Sequence, residues 1–289
     1  MGKKTTGLLG LGAGILLGIW FTGRYNVEMT KSSAVTERYG RAKIRQQMEQ
    51  LKEGYEKQDR MRRDFTANVS HELKTPLTSI SGYAEIIREG LVKSEDVGRF
   101  AGKIYEEAQR LITLVEDILN LSRLDEGAPD RGARTRVDLY DLCQEAITSL
   151  TEAARQRNIT FQLSGRRYTV DGVEKILGEI VYNLCDNAIK YNKENGRVEV
   201  SVTRLGDRIA LTVQDTGIGI PAGETARVFE RFYRVDKSHS KEIGGTGLGL
   251  SIVKHAAAYH DAKIELESQL GKGTRVRVLF HPAGQEAPL

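Results

Sequence analysis

The chain has 289 residues, enough for about two domains. Apolar residues make up 39% and charged residues 28%, a balance that excludes both a disordered chain and a membrane protein of many spans. The net charge of +4 is too small and too evenly spread to point to nucleic acid. Cys143 and Cys185 have no metal-ligand spacing and cannot build a disulfide scaffold, which fits a reducing compartment.

Lys3 and Lys4 precede an uncharged run, 5–23, closed by Arg24. At about 1.5 Å per residue the run reaches about 28 Å, close to the core thickness of a bilayer. A basic start before an apolar core also fits a signal peptide, but no small-residue cleavage site follows and the run is long for a signal core, which favours a single transmembrane helix. Gly10, Gly14 and Gly18 form a stripe that would let two such helices approach, although glycine is also common in short spans. Arg24, Lys31, Arg38, Arg41, Lys43 and Arg45 place the flank that follows in the cytoplasm.

A charged, helix-prone stretch over 34–64 comes next, where Ile44, Met48, Leu51 and Tyr55 make a short coiled-coil seam. Beyond it Leu73, Leu77, Ile80, Ala84, Ile87 and Leu91 alternate steps of 4 and 3. A break spans Gly90 to Ser94, with Ser94 as the expected N-cap of a second helix. That helix carries Phe100, Ile104, Leu111, Val115, Ile118 and Leu121 on one face. Two amphipathic helices joined by a short loop predict an antiparallel hairpin, and pairing two hairpins into a four-helix bundle buries both stripes. His71 lies about 200° from Leu73 around the helix and points outward, with Glu72 and Thr75 beside it and Pro76 expected to kink the chain. A lone exposed histidine is usually plain surface. An imidazole with an adjacent carboxylate is also a competent phosphoryl acceptor.

Gly127 to Arg136 reads as a linker. From Val137 the elements alternate. A helix is expected at Leu139–Gln156, a strand at Ile159–Leu163, and a helix from Gly172 to about Lys193 with Ile176, Ile180, Leu184 and Ile189 inward. A hairpin of Arg197–Arg204 and Arg208–Gln214, a helix from Leu248 to His260, and strands Lys263–Glu267 and Thr274–Phe280 complete the set. Helices segregate from strands, which predicts an α/β sandwich over 137–283.

Four features of this half carry chemistry. Asn183, Asn187 and Lys190 share a helix face, offering hard neutral oxygens for Mg²⁺ and a point charge for phosphate. Asp215-Thr216-Gly217-Ile218-Gly219 ends a strand, where a carboxylate can accept from an exocyclic amine and glycines permit close approach. Phe229 to Arg234 pairs aromatics with arginines before a loop. Gly244-Gly245-Thr246-Gly247-Leu248-Gly249 runs into a helix N-terminus, a ready anion site.

In this order the features resemble the bacterial sensor histidine kinases. Ser70 to Leu77 looks like their phosphoacceptor box, and Asn183 to Tyr191 like their asparagine box. Asp215 to Gly219, Phe229 to Arg234 and Gly245 to Gly249 look like the first glycine, aromatic and second glycine boxes. The resemblance implies a dimerisation and phosphotransfer hairpin over 60–126, followed by a catalytic ATP-binding domain of the Bergerat fold over 137–283. His71 would accept the γ-phosphoryl group of ATP with Glu72 as its base, and Thr75 would serve a phosphatase activity toward a response regulator. Asn187 would hold Mg²⁺, with Asn183, Lys190 and Tyr191 lining the nucleotide and phosphate site. Asp215 would read adenine, and Gly217, Gly219, Gly245, Thr246, Gly247, Leu248 and Gly249 would shape the pocket and lid. Arg234 would reach the γ-phosphate.

The expected protein is a homodimer in the bacterial cytoplasmic membrane, single-pass, with its catalytic region in the cytoplasm. Its partner would be a separate response regulator, with no direct nucleic acid contact. The family's usual extracytoplasmic sensor and HAMP or PAS relay find no room in this sequence. The competing readings are an inactive nucleotide-binding scaffold, against which no motif residue is missing, and a gyrase- or MutL-like ATPase clamp, which has no need of His71 and Glu72.

Overall fold

A computed structural model describes residues 45, 48–56, 59–125, 134–235 and 245–284. The chain divides into two units, Met1–Ala67 and Asn68–Leu289. In the first, 48–56 and 59–67 are helical, and the seam residues Met48, Leu51 and Tyr55 are exposed. The expected span at 5–23 lies outside the described residues, as do Ile44 and all of the stretch before it. Among the described residues no helix is long and apolar enough to cross a membrane.

The second unit opens with helix α1, residues 68–88, which stays helical through Pro76. It ends in a Schellman cap. Gly90 takes a positive φ of 67°, Leu91 N–H donates to the Ile86 carbonyl at 3.0 Å, and Gly90 N–H donates to Ile87 at 3.1 Å. Ser94 is not the N-cap that the sequence suggests. It begins a 3-10 turn, Ser94–Asp96, whose Asp96 N–H bonds the Lys93 carbonyl, and helix α2 runs from Val97 to Asp125. The extra turn satisfies backbone donors that a serine cap would otherwise have taken. Tyr83 and Phe100 pack edge to face across the hairpin at 5.7 Å.

The inward face of α2 differs by one position from the expected one. Leu114 is 3% exposed, whereas Val115 is 41% exposed. The C-terminal half of α2 packs against the domain that follows, with Leu121 buried and Leu124 against the main core, and that packing turns the helix. Leu77, Ile112 and Leu119 remain half exposed, because two helices cannot enclose each other's apolar stripes.

The remaining elements form the expected α/β sandwich. A two-stranded antiparallel ribbon joins β1 (Thr135–Asp138) to β3 (Thr169–Gly172). β1 takes Thr135 and Arg136 out of the stretch read as linker, since the ladder to β3 uses their backbone. Helix α3 (Leu139–Gln156) is capped by the Asp138 carboxylate, which accepts from Tyr140 N–H at 2.8 Å and Asp141 N–H at 3.4 Å. The main sheet has the order β2 (Thr160–Gly165), β4 (Arg197–Leu205), β5 (Arg208–Asp215), β7 (Gly273–Phe280), β6 (Lys263–Gln269). β2 is parallel to β4 and every other pair is antiparallel.

Helices α3, α4 (Glu174–Lys190) and α5 (Gly249–Tyr259) cover one face. Val198, Val200 and Val202 alternate inward on β4, Ile209, Leu211 and Val213 on β5, and Val276, Val278 and Phe280 on β7. The other face carries charge rungs, Arg275–Glu267 at 3.1 Å and Arg277–Glu265 at 2.9 Å, as an antiparallel sheet with one wet side requires. Cys143 and Cys185 are free and buried in this core, which pushes both thiols up, Cys185 to about 12. Neither is a reactive thiolate.

Candidate nucleotide and phosphoacceptor sites

α4 is held at both ends. Its N-cap, Val173, has no side-chain cap; instead its N–H donates to Nε2 of the buried His260 at 3.1 Å, while Nδ1 of that ring bonds the Ala256 carbonyl at 2.8 Å. Burial holds His260 below its ordinary pKa, so the ring stays neutral and can accept. At the C-terminal end the Arg157 guanidinium donates to the carbonyls of Ile189 at 2.5 Å, Lys190 at 2.6 Å and Asn192 at 3.2 Å.

Between these anchors Asn183 and Asn187 lie one turn apart, and Asn183 Nδ2 donates to the Glu179 carbonyl at 2.8 Å. Gly249, the first residue of α5, comes against them. A Cβ there would sit 2.9 Å from Asn183 Oδ1 and 3.4 Å from Asn187 Nδ2. The helix N-terminus and the asparagine face therefore meet, as their chemistry requires. Lys190 is not free to serve a ligand alone, because its Nζ lies 2.6 Å from Asp186 Oδ2.

The strand-end loop approaches the same turn of α4 from the sheet. A side chain at Gly217 would collide with the Tyr191 carbonyl, and one at Gly219, whose φ is +68°, with the Gln269 carbonyl. Asp215 Oδ1 accepts from Gly217 N–H at 2.8 Å and Thr274 N–H at 3.2 Å. Burial raises its pKa while those two bonds lower it, and Oδ2 has no partner among the described residues. Phe232, at a φ of +60°, donates its N–H to the Gly247 carbonyl at 2.9 Å, which joins the aromatic segment to the second glycine run. Tyr233 bonds Glu224 and lies under the Arg227 guanidinium.

Arg234 has Nε and Nη2 buried without a hydrogen-bond partner among the described residues. A Cβ at Gly245 would lie 3.1 Å from the Tyr191 hydroxyl and 3.9 Å from Arg234 Nη2, so the cation borders the second glycine run. Thr246 makes a contact that the sequence reading does not address. Its hydroxyl donates to Asp117 Oδ2 on α2 at 2.8 Å, and Leu248 N–H reaches its oxygen at 3.3 Å. Asp117 has its pKa raised mainly by burial.

Asp117, Arg157, Asn192 and His260 escaped the sequence reading, since only the fold reveals their distant partners. Among the described residues no three His, Cys, Asp or Glu side chains could cage a metal ion. The amides of Asn183 and Asn187 suit a Mg²⁺ that keeps waters and phosphate oxygens as its other ligands.

His71 is a second centre. Its side chain is 77% exposed, Nδ1 lies 3.8 Å from Glu72 Oε1, and the Thr75 hydroxyl donates to the His71 carbonyl at 3.2 Å. No hydrogen bond or ion pair among the described residues joins it to the Asn183 and Asn187 face or to Asp215.

Two known families match the chain. The His Kinase A (phospho-acceptor) domain matches residues 61–127, and the histidine kinase-, DNA gyrase B- and HSP90-like ATPase matches 172–284. The sensor-like histidine kinase SenX3 of Mycolicibacterium smegmatis is 43% identical over 216 residues, 74% of this chain and 56% of that one. The sensor protein kinase WalK of Staphylococcus aureus is 35% identical over 221 residues, 75% of this chain and 53% of that one. The chain thus spans about half the length of the curated relatives it matches.

Among solved structures, the histidine kinase AdeS of Acinetobacter baumannii shares the fold at a TM-score of 0.61 and 22% identity, over 73% of this chain and 98% of that one. Full-length ShkA, solved with AMPPNP, has a TM-score of 0.56 at 27% identity, over 78% of this chain and 47% of that one. With a phosphoacceptor domain and a kinase-type ATPase domain in succession, the chain belongs to the sensor histidine kinases of two-component systems.

Proposed function

We propose that this chain is an ATP-dependent protein-histidine kinase that phosphorylates itself on His71 and passes the phosphoryl group to an aspartate of a separate response regulator. The observation that carries the reading is a solvent-facing imidazole with a carboxylate at its Nδ1, in a chain whose other half brings Gly249 onto an asparagine face. In ShkA the related structure holds AMPPNP, an ATP analogue, which supports the same ligand here.

Asp215 Oδ2 would accept from the adenine amino group. Asn183, Asn187, Lys190 and Tyr191 would line the phosphates, and Arg234, whose Nε and Nη2 have no partner among the described residues, would face the γ-phosphoryl end. Mg²⁺, held through Asn187, would neutralise polyphosphate charge. Drawing Glu72 from 3.8 Å to about 3 Å would make a hydrogen bond to Nδ1–H. That bond fixes the tautomer and leaves the Nε2 lone pair to attack phosphorus. The bond to the β-phosphate oxygen breaks, ADP leaves, and Glu72 takes the Nδ1 proton.

Thr75, one turn beyond His71, would position water against a phosphorylated partner aspartate and so support a phosphatase activity. The half-exposed Leu77, Ile112 and Leu119 support a homodimer through the hairpin, and the apolar run 5–23 supports a single-pass membrane anchor with the catalytic region in the cytoplasm.

The test is incubation of the purified full chain with γ-labelled ATP and Mg²⁺, comparing wild type with His71→Gln. Acid-labile, alkali-stable label on wild type alone is expected. Label retained by the variant, or released phosphate with no labelled protein, overturns the reading.

A further inference from the structure

Asp215 and the Asn183/Asn187 face sit on different elements, a strand end and a helix. A ligand that touches both feels the register between them. Hydrogen bonds between the two elements gather at one turn, Lys190 to Asn192, where α4 ends. Above the turn, Ile218 N–H donates to the Tyr191 carbonyl at 3.0 Å and the Thr216 hydroxyl reaches Asn192 Oδ1 at 3.2 Å. Asn192 is buried, and its amide also donates to the Arg197 carbonyl at 3.2 Å. Arg197 N–H returns to the Thr216 oxygen at 2.9 Å, which closes the loop of bonds. From the end of α3 the Arg157 guanidinium adds its donors to the carbonyls of Ile189, Lys190 and Asn192.

We propose that Arg157 is a positioning residue for nucleotide binding. Its guanidinium clamps the C-terminal turn of α4 against the Asp215–Gly219 loop and thereby fixes the spacing between the base-facing carboxylate and the phosphate-facing amides. The role rests on the nucleotide reading above. Arginine suits it for three physical reasons. The last carbonyls of a helix have no partner within it. They carry the negative end of the helix dipole, which a cation stabilises. A planar fork also reaches several acceptors at once, which a single ammonium cannot. Arg157 is itself the C-cap of α3, and its carbonyl accepts from Asn195 N–H at 3.4 Å, so its backbone is tied to the loop that follows α4.

The experiment uses the full chain as wild type, Arg157→Met, Arg157→Lys and Thr216→Val, the last removing the hydroxyl that joins the loop to Asn192. Affinities are measured for ATP with Mg²⁺ by calorimetry and for adenosine by ligand-observed NMR. A ligand bridging two half-sites gains from their alignment, whereas a ligand of one half-site does not. Arg157→Met is expected to weaken ATP about tenfold or more and adenosine less than about twofold, with Arg157→Lys recovering part of the loss. Thr216→Val is expected to show the same split and serves alone if Arg157→Met does not fold. Equal losses for both ligands, or ATP affinity unchanged in these variants, overturn the proposal while leaving the nucleotide reading intact. Failure of wild type to bind ATP removes that reading and the proposal together.

Discussion

Gly249→Ala separates the needs of the site from those of the fold. Gly249 has no positive φ and begins α5, so alanine suits its backbone and should stabilise the helix by about 0.5–1 kcal/mol through the unfolded state. The added Cβ, however, would lie 2.9 Å from Asn183 Oδ1, where ordinary contact begins at 3.4 Å. The amide must retreat by roughly half an ångström, and it is tethered through Nδ2 to the Glu179 carbonyl. Loosening one such bond costs about 1 kcal/mol, and the displaced amide is one that the proposed function sets against the phosphates. A loss of about 1–1.4 kcal/mol in ATP affinity follows, about five- to tenfold, with a melting temperature close to that of wild type because the helix gain and the loosened bond nearly cancel. Calorimetric ATP titration and thermal unfolding of the same preparation check both halves. Unchanged ATP affinity, or affinity and melting temperature falling together, refutes the reasoning.

Asp117→Asn keeps an acceptor for the Thr246 hydroxyl and removes a carboxyl whose pKa burial raises. A raised carboxyl pKa means that wild type loses stability as pH climbs through the carboxyl titration. The variant should therefore melt higher than wild type at pH 7, with the difference shrinking as the pH falls toward 4; a gain independent of pH counts against the buried charge. His260 has the opposite dependence, because its folded pKa is depressed. Its contribution is present above the unfolded value of about 6.5 and lost as pH falls toward the lower folded value, so His260→Gln should flatten the slope of urea midpoints in that window. Thr75→Ala should leave the rate of self-phosphorylation near wild type and slow dephosphorylation of the partner aspartate by about tenfold or more; equal dephosphorylation rates would remove Thr75 from that chemistry.

The helices of the catalytic half were legible because each carries its own evidence. α3 has an Asp138 cap and buries Leu139, Leu142, Cys143, Ala146, Leu150 and Ala154, a helical period that needs no knowledge of the partner. Strands β4, β5 and β7 were legible through alternation. β1 and β3 were not, because four residues hold too little period to read, and their evidence is the pairing of Thr135 with Gly172 across the chain. The same limit explains Val115. Steps of 4 and 3 along α2 define a stripe for one neighbour, but α2 has two, and the catalytic half draws Leu114 inward.

The site divides in the same way. Glycines whose role is to make room announce themselves beside the motif they serve. A polar side chain acquires its role from its partner, and two of the three partners here were invisible. Lys190 was expected to meet phosphate and is held by Asp186, a neighbour that spacing alone could have flagged. Arg157 serves carbonyls more than thirty positions away. Thr246 donates to Asp117, 129 positions earlier. A hydroxyl has one proton to give, so a Thr246 that holds α2 cannot donate to a phosphate at the same time. With that proton spent on Asp117, an anion bound at the start of α5 would find its donors in the backbone amides of the glycine run. The threonine joins that run to the hairpin that carries His71.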